Sequence, residues 1–146
     1  MTLNDLQRAA VVLFAARETG PEGSLDQMRA VCHVIRNRVQ AGWHEDYLEA
    51  TQAVTWTANA SAAPDGLALN DRRLRTLATE IDDIFYGQSG DEIARMCGRL
   101  DKEHGPLLYW WFIDRPITKW FEQNIVRKAE EHRQRAQVGA TMYLYE

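Results

Sequence analysis

The chain of 146 residues is long enough for one domain with a single hydrophobic core, so we predict one domain over residues 1–146. Hydrophobic residues make up 45% of the chain and charged residues 26%, as in ordinary globular proteins. The formal net charge of −4 argues against a nucleic-acid-binding protein, because such proteins need a basic surface to neutralise phosphates. No Cys and His residues have the spacing of metal ligands, so we expect neither a metal nor another cofactor.

Two amphipathic helices are predicted in the first third of the chain. Apolar residues recur at helical spacing from Leu3 to about Glu18, and Gly20 then stops the helix. Ser24 can cap a second helix, which Gly42 ends. The apolar stripe of this second helix consists of Met28, Val31, Cys32, Ile35 and Val39. We therefore expect the thiol of Cys32 to be buried, whereas two cysteines alone do not predict a disulfide.

The rest of the chain alternates helices and loops, with aromatic and β-prone segments near its end. We predict a third helix at residues 44–54, a loop at 56–69, a fourth helix from the cap Asn70 to Gly87, one or two helical turns at 91–97 and a loop at 98–106. The aromatic run 107–113 predicts a short strand or an irregular wall, a last helix extends from Pro116 to Gly139, and residues 141–145 have β character. These elements predict an all-α fold, mainly helical with minor β structure.

Glu18 is the most informative carboxylate of the sequence. It lies at the carboxyl end of the first helix, just before Gly20 and Pro21. The negative end of the helix dipole disfavours an ionised carboxylate there, and burial would disfavour it further. Both effects favour a protonated carboxyl near neutral pH, which a general acid for a glycosidic oxygen requires. The alternative is an ordinary surface glutamate at a frayed helix end.

Two stretches of the chain resemble the spore-cortex-lytic type of cell-wall hydrolase. The first runs from Phe14-Ala-Ala-Arg-Glu18-Thr-Gly-Pro-Glu-Gly to an apolar helix that ends in Asn37-Arg38-Val39. The second contains Gly105-Pro-Leu-Leu-Tyr109-Trp110, then Trp120, then Gly139-Ala-Thr-Met-Tyr143. The family has an acidic motif after its first helix, a helix ending in Asn-Arg-Val and later Gly-Ala-x-x-Tyr-Tyr and Trp elements. The resemblance spans most of the chain, and the joint order of the motifs carries it.

The resemblance implies a lysozyme-like domain that cleaves the β-1,4 bond between N-acetylmuramic acid and N-acetylglucosamine in peptidoglycan. The family's acidic motif is Glu-Ala-Arg-Gly-Glu, whose first Glu is the catalytic acid. This chain departs from it, because one alignment places Ala15 or Ala16 on the acid, which would leave an inactive protein. A shifted alignment places Glu18 there, with Glu22 as the fallback acid. Asn37 and Arg38 would then brace the second helix against the catalytic loop.

The same resemblance leaves two chemistries open. As a lytic transglycosylase, the protein would need Glu18 alone, whereas an inverting hydrolase would need a second carboxylate, for which Glu45, Asp46 and Asp65 are available. Aromatic side chains would line the sugar groove, with core packing as the alternative for each. The expected groove residues are Tyr109 and Trp110, which match the family's Tyr-Tyr, and, more weakly, Trp43, Trp56 and Tyr143.

Two other classes of function compete with the enzyme. The departure from the acidic motif fits an inactive wall-binding or phage tail structural protein on the same scaffold. The helix–turn–helix-like stretch at residues 24–39 fits an unrelated helical interaction or DNA-binding module, although the acidic charge opposes DNA binding. The first residues have no signal-peptide pattern, and no apolar run is long enough to cross a membrane. We therefore expect delivery to the cell wall by holin release, in a virion or by injection, with virion or secretion-apparatus proteins as further partners.

Overall fold

The computed structural model of the protein describes residues 3–54, 71–87, 89–112, 137–139 and 141–145. These residues form five helices and a small antiparallel sheet, which confirms the predicted mainly helical fold with minor β structure. The helices are α1 (Asp5–Thr19), α2 (Leu25–Gln40), α3 (Tyr47–Val54), α4 (Arg72–Phe85) and α5 (Glu92–His104). The strands are β1 (Tyr109–Phe112), β2 (Gln137–Val138) and β3 (Met142–Tyr145).

Capping boxes begin both α1 and α2. The side chain of Asn4 accepts a hydrogen bond from the backbone N–H of Gln7, whose side chain accepts one from the backbone of Asn4. Ser24 and Gln27 repeat this exchange at the start of α2, so the predicted cap at Ser24 is confirmed. Each box satisfies two backbone donors that a helix terminus otherwise leaves unpaired.

Helix α2 lies at the centre of the described fold, where it contacts the other four helices as well as β1 and β2. Four residues of its predicted apolar stripe are buried, Cys32 fully, and Val39 is partly buried. Both cysteines are free thiols, and burial raises the pKa of Cys97 to about 12 and that of Cys32 further. The polar side chains Gln27, His33, Asn37 and Arg38 are also buried in α2. Because buried polar groups need partners, each of them bonds a neighbouring element.

Helices α3 and α4 begin later than the sequence predicted. Asp46 accepts a hydrogen bond from the backbone N–H of Glu49, so α3 starts at Tyr47 and not at His44. Asp71, not Asn70, is the N-cap of α4, because its carboxylate accepts from the backbone N–H of Arg73 at 2.9 Å. Asp is as good an N-cap as Asn, so sequence alone did not separate the two positions.

The predicted break after Cys97 was wrong. Helix α5 continues through Gly98 to His104, where a loop was expected. Asp91 caps its start, and the apolar spacing of Ile93, Cys97 and Leu100 continues past the glycine, with the latter two buried. A glycine inside a helix costs only about 1 kcal/mol relative to alanine, which this burial offsets.

The sheet has the strand order β1-β3-β2, with antiparallel pairing throughout. The predicted strand in the aromatic run and the predicted β character of residues 141–145 are therefore confirmed. The last helix does not extend to Gly139 as predicted, because Gln137–Val138 is strand β2. Val138 is buried opposite Met142, and Gly139 adopts a positive φ of 67° in the turn that joins β2 to β3.

Several predictions lie outside the described residues. They are the loop at 56–69 with Trp56 and Asp65, and the helix from Pro116 with Trp120. Within the described ranges, no helix is long and apolar enough to cross a membrane.

Candidate functional site

Glu18 lies in the last turn of α1 and is buried, with only 6% of its surface exposed. The turn after it is tight: Gly20 has a φ of 78°, and a Cβ on Gly23 would collide with the side chain of Thr19. Two glycines therefore let the chain reverse directly after the helix, as the sequence predicted from the Gly-Pro turn. Because the helix ends here, the carboxyl group of Glu18 lies at the negative end of the α1 dipole.

Strand β1 brings an aromatic partner to this carboxylate. The indole Nε1–H of Trp110 donates a hydrogen bond to Oε2 of Glu18 at 3.1 Å. Phe14, one helical turn before Glu18, contacts the indole edge to face, with ring centroids 6.0 Å apart and planes at 78°. Since residues i and i+4 share one face of a helix, α1 both holds the carboxylate and packs against the indole that contacts it.

Arg38 joins the carboxylate region to the other predicted aromatic residues. Its Nε–H donates to the carbonyl oxygen of Leu108 at 2.7 Å. Its guanidinium carbon lies 4.5 Å from the ring centroid of Trp110, 5.3 Å from that of Trp43 and 5.9 Å from that of Tyr109. The rings of Trp43 and Tyr109 also contact each other, with centroids 5.5 Å apart. Cation–π attraction thus gathers three rings around one buried cation.

We call Glu18, Arg38, Trp43, Tyr109 and Trp110 the Glu18 cluster. It combines a buried acid with aromatic rings of graded exposure: Trp43 is 43% exposed, and Tyr109 and Trp110 are partly exposed. Arg38 is 9% exposed. Such a cluster can offer flat apolar surface to a ligand while keeping a proton donor away from bulk water.

Four sequence-predicted site residues therefore come together, and two others do not. Glu22 lies in the exposed turn after α1, where Arg73 donates to the neighbouring carbonyl oxygens of Pro21 and Gly23. The pKa of Arg73 is raised, first by its hydrogen bond to Asp71 and also by the nearby charge of Glu22. The fallback acid thus faces an arginine of α4 and not the aromatic rings.

Tyr143 is only 7% exposed and pairs in register with Trp111 of β1 and Gln137 of β2, so it offers little surface to a sugar ring. Of the predicted second carboxylates, Glu45 and Asp46 are exposed at the start of α3, where Asp46 caps the helix.

Asp101 was not among the functional residues predicted from the sequence. Its carboxylate has several hydrogen-bond partners close to the start of β1. It accepts from the backbone N–H of Leu107 at 2.9 Å and from Asn37 at 3.2 Å, and it contacts Nε2 of His33 at 2.7 Å. Burial opposes the ionisation of Asp101, but the hydrogen bonds from His33 and Leu107 outweigh it and hold the pKa of Asp101 below its usual value. His33 itself is 4% exposed.

In the part of the chain that the structure describes, no group of three or more His, Cys, Asp or Glu side chains could hold a metal ion. Comparisons of the chain with protein-family models, with curated proteins and with solved structures find no match. The function proposed below therefore depends on the geometry of the Glu18 cluster and on the sequence resemblance.

Proposed function

We propose that this protein is a lysozyme-like enzyme that cleaves peptidoglycan glycan strands, with Glu18 as its general acid. The observation that carries the proposal is the contact of a buried helix-terminal carboxyl group with Trp110, in a cluster that also presents Trp43 and Tyr109. Sugar rings stack on aromatic faces, and a glycosidic oxygen needs a proton donor that is shielded from water.

The hydrogen bond from Trp110 bears on which oxygen of Glu18 would carry the proton. An indole N–H is a donor only, so Oε2 must accept from it. In a protonated carboxyl group the carbonyl oxygen is the better acceptor, so the indole N–H favours a hydroxyl on Oε1. Trp110 would thus orient the acid with its proton on the oxygen that does not accept from the indole.

The reaction would break the bond between C1 of N-acetylmuramic acid and O4 of N-acetylglucosamine. Glu18 would give its proton to O4 as that bond breaks. The 6-hydroxyl oxygen of the muramic acid would then bond to C1, and its proton would return to Glu18, which leaves a 1,6-anhydro ring. An inverting muramidase would use a water molecule in place of the 6-hydroxyl and would need a second carboxylate to activate it.

The test is digestion of purified peptidoglycan by the wild type, by Glu18→Gln and by the matched control Glu22→Gln, with mass analysis of the products. We expect the wild type and Glu22→Gln to release muropeptides and Glu18→Gln to be slower by about 10²–10⁴-fold, as for loss of a general acid. Anhydro ends would identify a lytic transglycosylase, and reducing ends a muramidase. Equal cleavage by Glu18→Gln would contradict the proposed role of Glu18.

A second candidate is a wall-binding or structural module without activity. The 6% exposure of Glu18 favours it, because an acid must be reached by its substrate. Sedimentation of the wild type with peptidoglycan sacculi, without any release of muropeptides, would support this module over the enzyme. Under either function we propose that the protein acts at the cell wall after holin release, virion delivery or injection.

A further inference from the structure

Side chains of α2 and α5 bond three backbone groups of residues 107 and 108, which lead into β1. Asp101 accepts from the N–H of Leu107 at 2.9 Å, and Asn37 donates to the carbonyl oxygen of Leu107 at 3.0 Å. Arg38 donates to the carbonyl oxygen of Leu108 at 2.7 Å. Both α5 and α2 therefore fix the chain immediately before Tyr109 and Trp110.

Asp101 is the common point of this attachment. Its two oxygens also accept from Nδ2 of Asn37, at 3.2 and 3.3 Å, and its Oδ2 lies 2.7 Å from Nε2 of the buried His33. One carboxylate thus holds the backbone of Leu107 directly and orients the Asn37 amide that holds the same residue from the other side. His33 in turn fixes the carboxylate.

This attachment determines where Trp110 lies. Trp110 is three residues beyond Leu107 in the chain. Its indole donates to Glu18 of α1, a helix that takes no part in the attachment of Leu107 by α2 and α5. A shift of β1 by about 1 Å would lengthen that 3.1 Å contact beyond a normal hydrogen bond, and such shifts at a site reduce rates strongly.

We propose that Asp101 is a positioning residue, with His33 as its orienting partner, which sets the indole of Trp110 against Glu18 by holding Leu107. Asp101 lies outside the Glu18 cluster and acts on it through Leu107, which it holds directly and by way of the Asn37 amide. The effect on catalysis depends on the proposed function, but the effect on the Trp110–Glu18 contact does not. The two can therefore fail separately.

The test is the ¹H–¹⁵N spectrum of the tryptophan indoles in the full chain. The five Trp residues give five indole signals, and Trp110→Phe identifies the signal of Trp110 by its loss. We expect Asp101→Ala to move this signal upfield as the indole loses its hydrogen bond to Glu18. Asp101→Asn, which keeps one carbonyl oxygen, should move it less and in the same direction.

The chain offers a matched control in Asp82. Its carboxylate also anchors a backbone N–H, that of Leu3 at 2.8 Å, and its side chain is 23% exposed against 22% for Asp101. Asp82→Ala should therefore leave the Trp110 signal in place. An unmoved Trp110 signal in folded Asp101→Ala would overturn the proposal. If Asp101→Ala does not fold, an unmoved signal in Asp101→Asn would overturn it equally.

Enzyme kinetics add a second measurement once glycan cleavage is established. We expect Asp101→Asn to lower kcat about tenfold because it displaces the partner of the acid, and to raise KM because Trp110 is also an expected groove residue. Unchanged kcat in Asp101→Asn with a displaced indole signal would overturn the catalytic part of the proposal. If no cleavage is found in any variant, the indole spectrum still decides whether Asp101 positions Trp110.

Discussion

Two carboxylates act on β1 and on the residues that lead into it, and their surroundings differ. Asp101 is surrounded by donors that the fold supplies: a backbone N–H, the Asn37 amide and the His33 ring. Glu18 accepts from the indole of Trp110, next to Phe14, and belongs to a cluster of rings. Asp101 is thus bonded by a backbone N–H and by the side chains of Asn37 and His33. Glu18 instead contacts aromatic rings, which are typical of ligand-binding sites.

This difference indicates what each carboxylate contributes. A group whose oxygens bond fixed donors stabilises the fold, and its removal leaves those donors unpaired. A carboxyl group held at the negative end of a helix dipole in an aromatic cluster contributes less to stability, as is common for functional groups. Substitutions at the two positions should therefore separate stability from activity.

The largest effect on stability is expected for Asp101→Ala. The change leaves the N–H of Leu107 and the ring of His33 without their partner, and each unpaired group costs about 1–3 kcal/mol, so we expect a loss of about 3 kcal/mol. Urea denaturation followed by circular dichroism measures it. Asp82→Ala, whose partners lie at the N-terminal end of the chain, should lose about 1 kcal/mol. Equal losses of unfolding free energy in Asp101→Ala and Asp82→Ala would contradict the larger contribution to stability that we assign to Asp101.

A second prediction concerns pH. Because the pKa of Asp101 is lowered in the folded state, its ionised form stabilises the fold at pH values above the ordinary aspartate pKa of about 3.9. This contribution is lost as the pH falls through the lower, folded pKa. The difference in unfolding free energy between the wild type and Asp101→Asn should therefore be constant near pH 5 and shrink below about pH 4.

Urea denaturation of both proteins at several pH values between about 5 and 2.5 gives this difference directly. A difference that grows on acidification would contradict the assignment, because it would mean that the folded protein holds protonated Asp101 better than the unfolded chain does. The same series on Asn37→Ala shows whether losing one donor weakens the pH dependence, as we expect if Asn37 helps to lower the pKa of Asp101.

The part of this architecture that could be predicted from sequence is its local part. Apolar spacing and the Ser24 cap predicted α2, and the position of Glu18 before Gly20 predicted a carboxyl group at a helix end. The resemblance singled out Tyr109 and Trp110, and the structure brings both to Arg38. Arg38 was expected to brace α2 against the catalytic loop, and its hydrogen bond goes instead to the carbonyl oxygen of Leu108, which leads into β1.

The long-range part could not be predicted in this way. Asp101 and His33 are 68 residues apart, and no local spacing connects them. Treating Gly98 as a helix end also placed Asp101 in a loop, where a lone aspartate suggests nothing more than a turn residue. The prediction overestimated how strongly Gly98 opposes a helix. The apolar spacing continues to Leu100, and the burial of Leu100 stabilises α5 beyond the glycine.

The smallest effect on stability is expected for Glu18→Gln. Gln keeps a carbonyl oxygen for the indole N–H of Trp110 and nearly the same shape, and it removes a carboxyl group from the negative end of α1. We therefore expect the unfolding free energy to stay within about 1 kcal/mol of the wild type, or to rise. Glu22→Gln, measured in the same urea series, controls for the change of charge at an exposed position. A loss above about 2 kcal/mol would mean that Glu18 anchors the fold as Asp101 does, and would favour the wall-binding module over the enzyme.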